Sequence, residues 1–500
     1  MNTIRRSSIR ISAFAAGAAL LLGLFGCDNW NASDKPESSA QAGPIEESSV
    51  LAPLHEVDIE SEASEAASSS SDQQPGEKDL ALSAMISDES LSFLTDGDAS
   101  EVIVLATEEV VFSLEWEKPV DVDRIVTYAN DGAGYSMAFT AFGADGAVLA
   151  EYSKGSCTGK RISALACREV SRLVLSYAPH DAALELSEVE IYGEKPGGTA
   201  VPVTSAYLPV NSAFDAELFE GQLGALDDII LISGSYWGAD GSITVSDGFA
   251  GHCSSIEETL QNEANAPRIW ATIYPAYKMT SDGSAGSTID TREKREKLID
   301  NILAFAEEYG LDGIDFDWEF PREAADWEHF GELIAELKGR GGALMISAAL
   351  YPDRTMMTDD GFAALDRVNL MTYDCFDDLG RHSTYELAEN SVNCIGYFAE
   401  RPGERHKLFI GIPAYGRPLD GSRVWDLYRD IPVMNRNLDF YGNSFYNGCA
   451  LAADKTALAF ELGAGGVFLY HLKCDKPFED DFSLLRSISD YLAFGQDNVK

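Results

Sequence analysis

The sequence predicts a multidomain chain in which an all-β sandwich is followed by an α/β barrel of the (β/α)8 type. Three observations carry that prediction. From about Leu80 to Glu194, short alternating strands follow one another with no helical periodicity to compete. Beyond Lys195-Pro196-Gly197-Gly198, a hinge by composition, strands and helical segments alternate, as a parallel barrel requires. Ahead of both, a basic and apolar N-terminus gives way to a polar tract. The chain has 500 residues, 45% of them hydrophobic and 10% aromatic. Domains run to roughly 100–200 residues, so several cores are expected.

Residues 1–27 read as an export signal. Arg5, Arg6 and Arg10 form its basic region, and the apolar run Ala13 to Gly26 is too short to span a bilayer comfortably. The run ends in Leu24-Phe25-Gly26-Cys27, which resembles a bacterial lipoprotein cleavage box. The resemblance implies a lipidated Cys27, with the mature protein exported and held to the cell envelope, at the outer membrane or cell surface, through that anchor only. Residues 28–78, rich in Ser, Glu, Ala and Asp, bury too little to offset chain entropy and read as a disordered linker.

Net charge is −45, from 82 acids against 37 bases. Such a surface repels nucleic acid and anionic lipid, but not an uncharged glycan. Seven of the eight cysteines follow Cys27. Export permits disulfides. Cys157–Cys167, Cys375–Cys394 and Cys449–Cys474 are candidate pairs, but an odd number leaves at least one thiol. No CxxC or HExxH spacing calls for zinc, so neither metal nor cofactor is expected.

Residues 79–196 form the predicted sandwich. Its strands are Val102–Leu105, Val111–Leu114, Arg124–Tyr128, Ser136–Phe142 and Arg172–Ser176, separated by turn residues such as Asp131-Gly132 and Asp145-Gly146. It closes with Leu186-Ser187-Glu188-Val189-Glu190-Ile191-Tyr192-Gly193. That ending, with Leu94-Thr95-Asp96-Gly97, resembles the galactose-binding-like (discoidin, factor 5/8 C-terminal type) jelly roll. The resemblance implies a glycan-binding module or a spacer.

Residues 200–495 form the predicted barrel. Asp227–Ile232 and Arg268–Ile273 read as strands. Thr291–Tyr309 reads as an amphipathic helix with Leu298, Ile299, Ile302, Leu303 and Phe305 on its apolar stripe, Asp290 as N-cap and Gly310 as stop. Further strands are predicted at Ala343–Ala348, Arg367–Met371, Lys407–Ile412 and Gly466–Tyr470. A doubly wound open sheet is the alternative, although no Gly-rich phosphate loop follows the first strand.

The most informative segment is Leu311-Asp312-Gly313-Ile314-Asp315-Phe316-Asp317-Trp318-Glu319-Phe320-Pro321. On a strand, Asp315, Asp317 and Glu319 share one face, and Ile314, Phe316 and Trp318 the other. In a barrel the apolar set meets the surrounding helices while the carboxylates climb the axis. Each two-residue step rises roughly 6–7 Å. Glu319 then reaches the C-terminal rim, where barrel enzymes keep their active sites. Clustered buried carboxylates cannot all ionise, so one holds a proton near neutral pH, as a general acid must.

Asp-x-x-Asp-x-Asp-x-Glu, filled here by Asp312, Asp315, Asp317 and Glu319, matches the signature of family-18 glycoside hydrolases, the chitinase family. Met371-Thr372-Tyr373-Asp374, Gly411-Ile412-Pro413-Ala414-Tyr415-Gly416-Arg417 and Gly465-Gly466-Val467-Phe468-Leu469-Tyr470 resemble its later strand motifs, in order. The resemblance implies endo hydrolysis of β-1,4-linked N-acetylglucosamine glycans by a monomer, with the substrate's own acetamido group as nucleophile. It implies Glu319 as acid, then base, and Asp317 on the acetamido N–H. Asp315 would share a proton with Asp317, and Tyr373 would bind the acetamido oxygen. Asp374, Met371, Tyr470, Tyr415, Arg417 and Tyr207 would contact substrate. Asp312 would anchor the strand entrance. An endo-β-N-acetylglucosaminidase on N-glycan cores and a non-catalytic chitinase-like lectin are the alternatives.

The sequence departs from that pattern twice. Ala271-Thr272-Ile273-Tyr274-Pro275-Ala276-Tyr277 replaces the usual Ser-x-Gly-Gly strand, and Tyr470 stands where a Trp usually floors the sugar site. The short stretch between Arg417 and Val467 predicts a shallow, open groove. Tyr236, Trp237, Trp425, His382 and His471 are further candidates for sugar contact.

Overall fold

The computed structural model describes residues 78–196, 201–210, 221–260, 266–353, 355–422 and 424–494. All fall within one compact unit, Ser70–Lys500. The predicted signal with Cys27, the linker up to residue 77 and the glycines of the hinge lie outside the described residues. Among those described, no helix is long and apolar enough to cross a membrane.

The N-terminal half is antiparallel. Its strands are β1 (Met85–Ile86), β2 (Ile103–Leu105), β3 (Val110–Ala129), β4 (Tyr135–Phe142), β5 (Val148–Cys157), β6 (Arg161–Pro179) and β7 (Leu184–Tyr192). They run in the order β2-β7-β3-β6-β4-β5, with β1 also on β3. Period-2 patterning works as expected: Tyr135, Met137, Phe139 and Ala141 of β4 all turn into a core with Leu114, Leu173, Leu175 and Tyr177. Two predicted strands, Val111–Leu114 and Arg124–Tyr128, are one. The long β3 carries register shifts between Glu115 and Arg124 that take up Pro119, which cannot donate to a ladder. The reading missed β5. It is an edge strand, half of it exposed, with no sustained apolar alternation to announce it.

The C-terminal half closes into a barrel. Eight parallel strands, β8 (Val203–Pro209), β9 (Asp228–Trp237), β11 (Arg268–Pro275), β12 (Gly313–Phe316), β13 (Met345–Leu350), β14 (Arg367–Leu370), β15 (Leu408–Pro413) and β20 (Gly466–Tyr470), pair in sequence, and β20 returns to β8. That closure excludes the open-sheet alternative. A short β10 (Ile243–Val245) extends β9 antiparallel. After β15 the chain makes a small antiparallel sheet of β16 (Tyr415–Pro418), β17 (Asp426–Leu427), β18 (Phe440–Tyr441) and β19 (Ser444–Phe445).

The described α-helices are α1 (Phe249–Leu260), α2 (Tyr277–Asp282), α3 (Arg292–Glu308), α4 (Ala324–Arg340), α5 (Asp359–Ala364), α6 (Tyr385–Cys394), α7 (Gly396–Glu400), α8 (Cys449–Glu461) and α9 (Leu484–Ala493). In α3 the N-cap is Thr291, whose hydroxyl accepts from the Lys294 N–H, rather than Asp290. Asp290 instead pairs with the Lys294 ammonium at 2.7 Å, an attractive contact one turn along. Gly310 ends the helix with φ of +61°, a conformation costly for any residue with a Cβ.

None of the three candidate disulfides forms; all seven described cysteines are thiols. The register explains the first. Cys157 pairs across to Tyr135 of β4, whereas Cys167 pairs to Val122 of β3, so the two lie on different ladders. Cys394 sits on an exposed helix face, and Cys375 lies in a loop. Cys449 meets the Tyr428 hydroxyl, and Cys474 meets His471.

Candidate active site

The acid-rich segment runs along β12 and past its upper end, between α3 and α4: Asp315 lies on the strand, and Asp317 and Glu319 follow it. Its apolar alternates point outward: Phe316 and Trp318 pack edge-to-face on Trp237 and on Phe330 of α4. Trp237 is fully buried, with its indole N–H on Thr288, so this candidate for sugar contact is a packing residue. Asp312 accepts the Ile269 N–H at 2.8 Å and ties β12 to β11 at the bottom.

Inside the barrel, polar groups form tiers. In the lowest, Asp228 receives Arg268, the Trp270 indole N–H and, at 3.0 Å, Arg367. The Arg367 guanidinium lies over the Phe409 ring, 3.6 Å from its centroid. The middle tier centres on Asp315, which is fully buried and accepts four hydrogen bonds. Ser347 Oγ (2.6 Å) and Asn369 Nδ2 (3.0 Å) donate to one oxygen. Thr272 Oγ1 (2.9 Å) and the Tyr207 hydroxyl (3.0 Å) donate to the other. Burial raises the Asp315 pKa, against the opposing pull of these donors and of Arg367.

The upper tier is Asp317 and Glu319, both partly exposed at the mouth. The two share a hydrogen bond. Burial first, then the negative charges of Glu319 and Asp315, push the Asp317 carboxyl well above the usual range. Although its surface retains solvent access, protein surrounds it closely enough for desolvation to dominate. The protonated form of Asp317 is favoured accordingly, and Asp317 Oδ1 is left without a hydrogen-bond partner in the protein. The sequence reading paired Asp317 with Asp315. The structure pairs it with Glu319, because all four strong acceptor directions of Asp315 are already taken.

Tyr373 closes one side of the mouth. Its ring stacks on Tyr470 (5.0 Å, 27°) and lies edge-on to Phe468 and Tyr415, and burial first, then the neighbouring tyrosines, push its hydroxyl pKa well above the usual range. Gly411 makes room for it: a Cβ built there would lie 2.9 Å from Tyr373 Cε1 and 2.8 Å from Leu370 O. Asp374 follows with φ of +54°. Its carboxylate meets Arg417 at 2.9 Å, and its N–H donates to His382 Nε2 at 2.8 Å. Burial raises the Asp374 pKa, and Arg417 and Tyr415 oppose the rise.

The predicted site residues thus fall into two groups. Glu319, Asp317, Tyr373, Asp374, Arg417 and Tyr470 meet at the mouth, with Met371 buried just below. Tyr207 is instead part of the barrel interior, with its hydroxyl engaged by Asp315 and Asn369. Tyr415 is fully buried beneath Trp425, which stacks on it at 4.0 Å and 9° and presents the more accessible face. His382 is buried as a support for Asp374, and His471 is buried beside Cys474. The reading missed Thr272, Ser347, Asn369 and Arg367. Each is a polar residue at an inward position of an otherwise apolar strand, a signal that was present in the alternation.

Parts of the chain are similar to known proteins. A segment is 29% identical over 154 residues to Probable chitinase 10 of Drosophila melanogaster, covering 25% of this chain and 7% of that protein. The chain is also 26% identical over 160 residues to Chitotriosidase-1 of Mus musculus, covering 26% of this chain and 34% of that protein. The chain thus spans well under half the length of these relatives. A solved chitinase from Bacteroides thetaiotaomicron shares the barrel fold at a TM-score of 0.52 and 21% identity, over 59% of this chain and 98% of that one. Residues 278–475, which carry the acid ladder, Tyr373 and Tyr470, match the family model described as Glycosyl hydrolases family 18, and this part of the chain is chitinase-like.

Proposed function

We propose that the protein hydrolyses the β-1,4 bonds of N-acetylglucosamine-containing glycans, endo-acting and with retention, using the substrate's acetamido group as nucleophile. The observation that carries this reading is the hydrogen-bonded Asp317–Glu319 pair at the barrel mouth, with Asp317 Oδ1 unpartnered beside Tyr373. In the first step the acetamido carbonyl oxygen bonds to the anomeric carbon while the C–O bond to the leaving sugar breaks. The proton shared by the pair passes onto Glu319, which gives it to the departing oxygen. Asp317, now anionic, accepts the acetamido N–H through Oδ1 and balances the positive ring that forms. The Tyr373 hydroxyl donates to the acetamido oxygen. Glu319 then takes a proton from water, which attacks the anomeric carbon and regenerates the acetamide. Asp315 stays fixed by its four donors and acts on Asp317 through space.

Tyr470, Trp425 and the Asp374–Arg417 pair give the sugar an aromatic floor and a polar edge. The β domain is read as a galactose-binding-like module. Cys27 is read as a lipid anchor that holds a monomer at the cell envelope.

The test is product analysis by mass spectrometry on chitohexaose and on a high-mannose glycoprotein. Cleavage of chitohexaose to smaller oligosaccharides is expected, and Glu319→Gln should lower kcat by about 10²–10⁴, the scale of lost general acid catalysis. Cleavage of the glycoprotein alone would move the substrate to N-glycan cores. Binding of chitohexaose without turnover would make the protein a lectin. Unchanged turnover in Glu319→Gln would overturn the assignment.

A further inference from the structure

The segment carrying Tyr373 and Asp374 is a loop, residues 371–384, which leaves the top of β14 and enters α6. Its shape is unusual, since both Asp374 (φ +54°) and Ser383 (φ +52°) hold left-handed backbone without being glycine. Something outside the loop must hold it. Behind it stands Lys455 of α8, fully buried, whose ammonium donates to Ser383 O (2.7 Å), Ser383 Oγ (2.9 Å) and Asn447 Oδ1 (2.6 Å). Asn447 Nδ2 donates to the same Ser383 carbonyl. Ser383 Oγ in turn donates to Thr372 O, and the Ser383 N–H donates to Cys375 O, so both ends of the loop converge on this serine.

The residue before Lys455 faces the other way. Asp454 is fully buried at the β domain, where it accepts the Tyr152 hydroxyl (2.7 Å), Arg161 Nη2 (2.8 Å) and the Ala164 N–H (2.9 Å). Arg161 also reaches the helix that the loop enters. Its guanidinium covers the ring of Tyr385 (3.8 Å) and approaches Glu386 (3.3 Å), the first two residues of α6. The Ile162 N–H donates to the Tyr385 hydroxyl at 3.2 Å. One strand of the β domain, β6, therefore grips α8 and the start of α6 at once, on either side of Ser383.

We propose that the β domain is a structural part of the active site: Arg161 is a positioning residue that, with Asp454 and Lys455, sets the loop carrying Tyr373 and Asp374. The effect on turnover rests on the reading of the mouth given above; the bracing of the loop does not. Charged hydrogen bonds buried at a domain junction hold geometry tightly, because breaking one strands its partner.

The experiment uses the full chain with Arg161→Met, which keeps the stem and removes the fork, Arg161→Lys, and Glu386→Gln as the milder change should Arg161→Met fail to fold. Two readouts are taken. Amide hydrogen exchange should rise by at least tenfold in residues 371–386 while β9 and β11 keep their protection. Hydrolysis of 4-nitrophenyl di-N-acetylchitobioside should show kcat reduced about tenfold, with a smaller change in KM. Arg161→Lys should recover part of both, and Glu386→Gln should give the same pattern more weakly. Unchanged exchange in the loop for every folded variant overturns the brace, whatever the activity. Raised exchange with unchanged kcat overturns the positioning role. A wild type that hydrolyses nothing defeats the preceding functional reading, and loop exchange then decides the brace alone.

Discussion

Asp315 and Asp317 lie two residues apart on the same barrel face and differ in almost everything that matters to chemistry. Asp315 is fully buried and accepts from Tyr207, Thr272, Ser347 and Asn369, drawn from four different strands. Asp317 sits one step higher, engages Glu319, and keeps Oδ1 unpartnered. A buried carboxylate is costly unless donors compensate for lost water. In the lower position the fold supplies those donors in full, so the charge is structural. In the upper position it does not, so the protonated form is favoured and Oδ1 is left for another partner. A ladder of like residues thus becomes a fixed base and a working tip, and neighbours make the distinction.

The largest expected effect that sharpens this contrast is on activity. Asp317→Asn should lower kcat about 10²–10³-fold with little loss of fold, since Asn keeps the shape and removes a disfavoured charge. A folded Asp317→Asn with wild-type kcat would erase the distinction between the tiers. Next comes stability in the other tier. Asp315→Asn puts an amide NH₂ where Asn369 or Tyr207 and their companions donate, leaving buried donors facing a donor. A cost of about 3 kcal/mol is expected by urea unfolding, the scale for breaking a buried charged network. An equal cost at Asp317 would show that both carboxylates are structural.

The pH dependence separates them a third way. The folded Asp317 pKa is raised, so the native state binds the extra proton, and stability falls as pH rises from the unfolded value through the folded one. Asp317→Asn removes that penalty. Its Tm should exceed wild type by about 2–4 °C at pH 8, the shift that about 1 kcal/mol makes in a domain of this size, and the difference should vanish near pH 3. A gain that persists at pH 3 would point to packing instead. The smallest effect concerns Tyr373. Gly411→Ala places a methyl against the Tyr373 ring and Leu370 O, and overpacking of this kind costs about 1–3 kcal/mol. KM for a chitobioside should rise severalfold while the pH profile stays put, because the acid pair is untouched. A shifted profile would tie Tyr373 to the proton as well as to the ring.

Much of this was legible in the chain. The Asp-x-x-Asp-x-Asp-x-Glu spacing gave the inward carboxylates, since strand alternation needs no tertiary knowledge, and the outward Phe316 and Trp318 followed from the same period. Seven of the eight barrel strands were marked by apolar runs between turn signals; β8 was not separately marked. Less legible were Tyr207 and Tyr415. A tyrosine on a motif reads the same whether its hydroxyl faces a ligand or a buried aspartate, and only the arrival of β14 and the Trp425 loop decided which. The disulfide candidates failed for a similar reason, because proximity in sequence says nothing of which ladder a strand joins.

The sequence by itself determined the alternation that aims three acids to one side, the glycine stop of α3, and the composition that separates the β half from the barrel. Local stereochemistry and solvent preference suffice for those. The tertiary structure alone decided which carboxylate receives four donors and which receives none to spare, and which domain stands behind the loop of Tyr373. A proton's position depends on the sum of desolvation and nearby charge, and those neighbours come from strands up to 162 residues apart, whose meeting only barrel closure brings about.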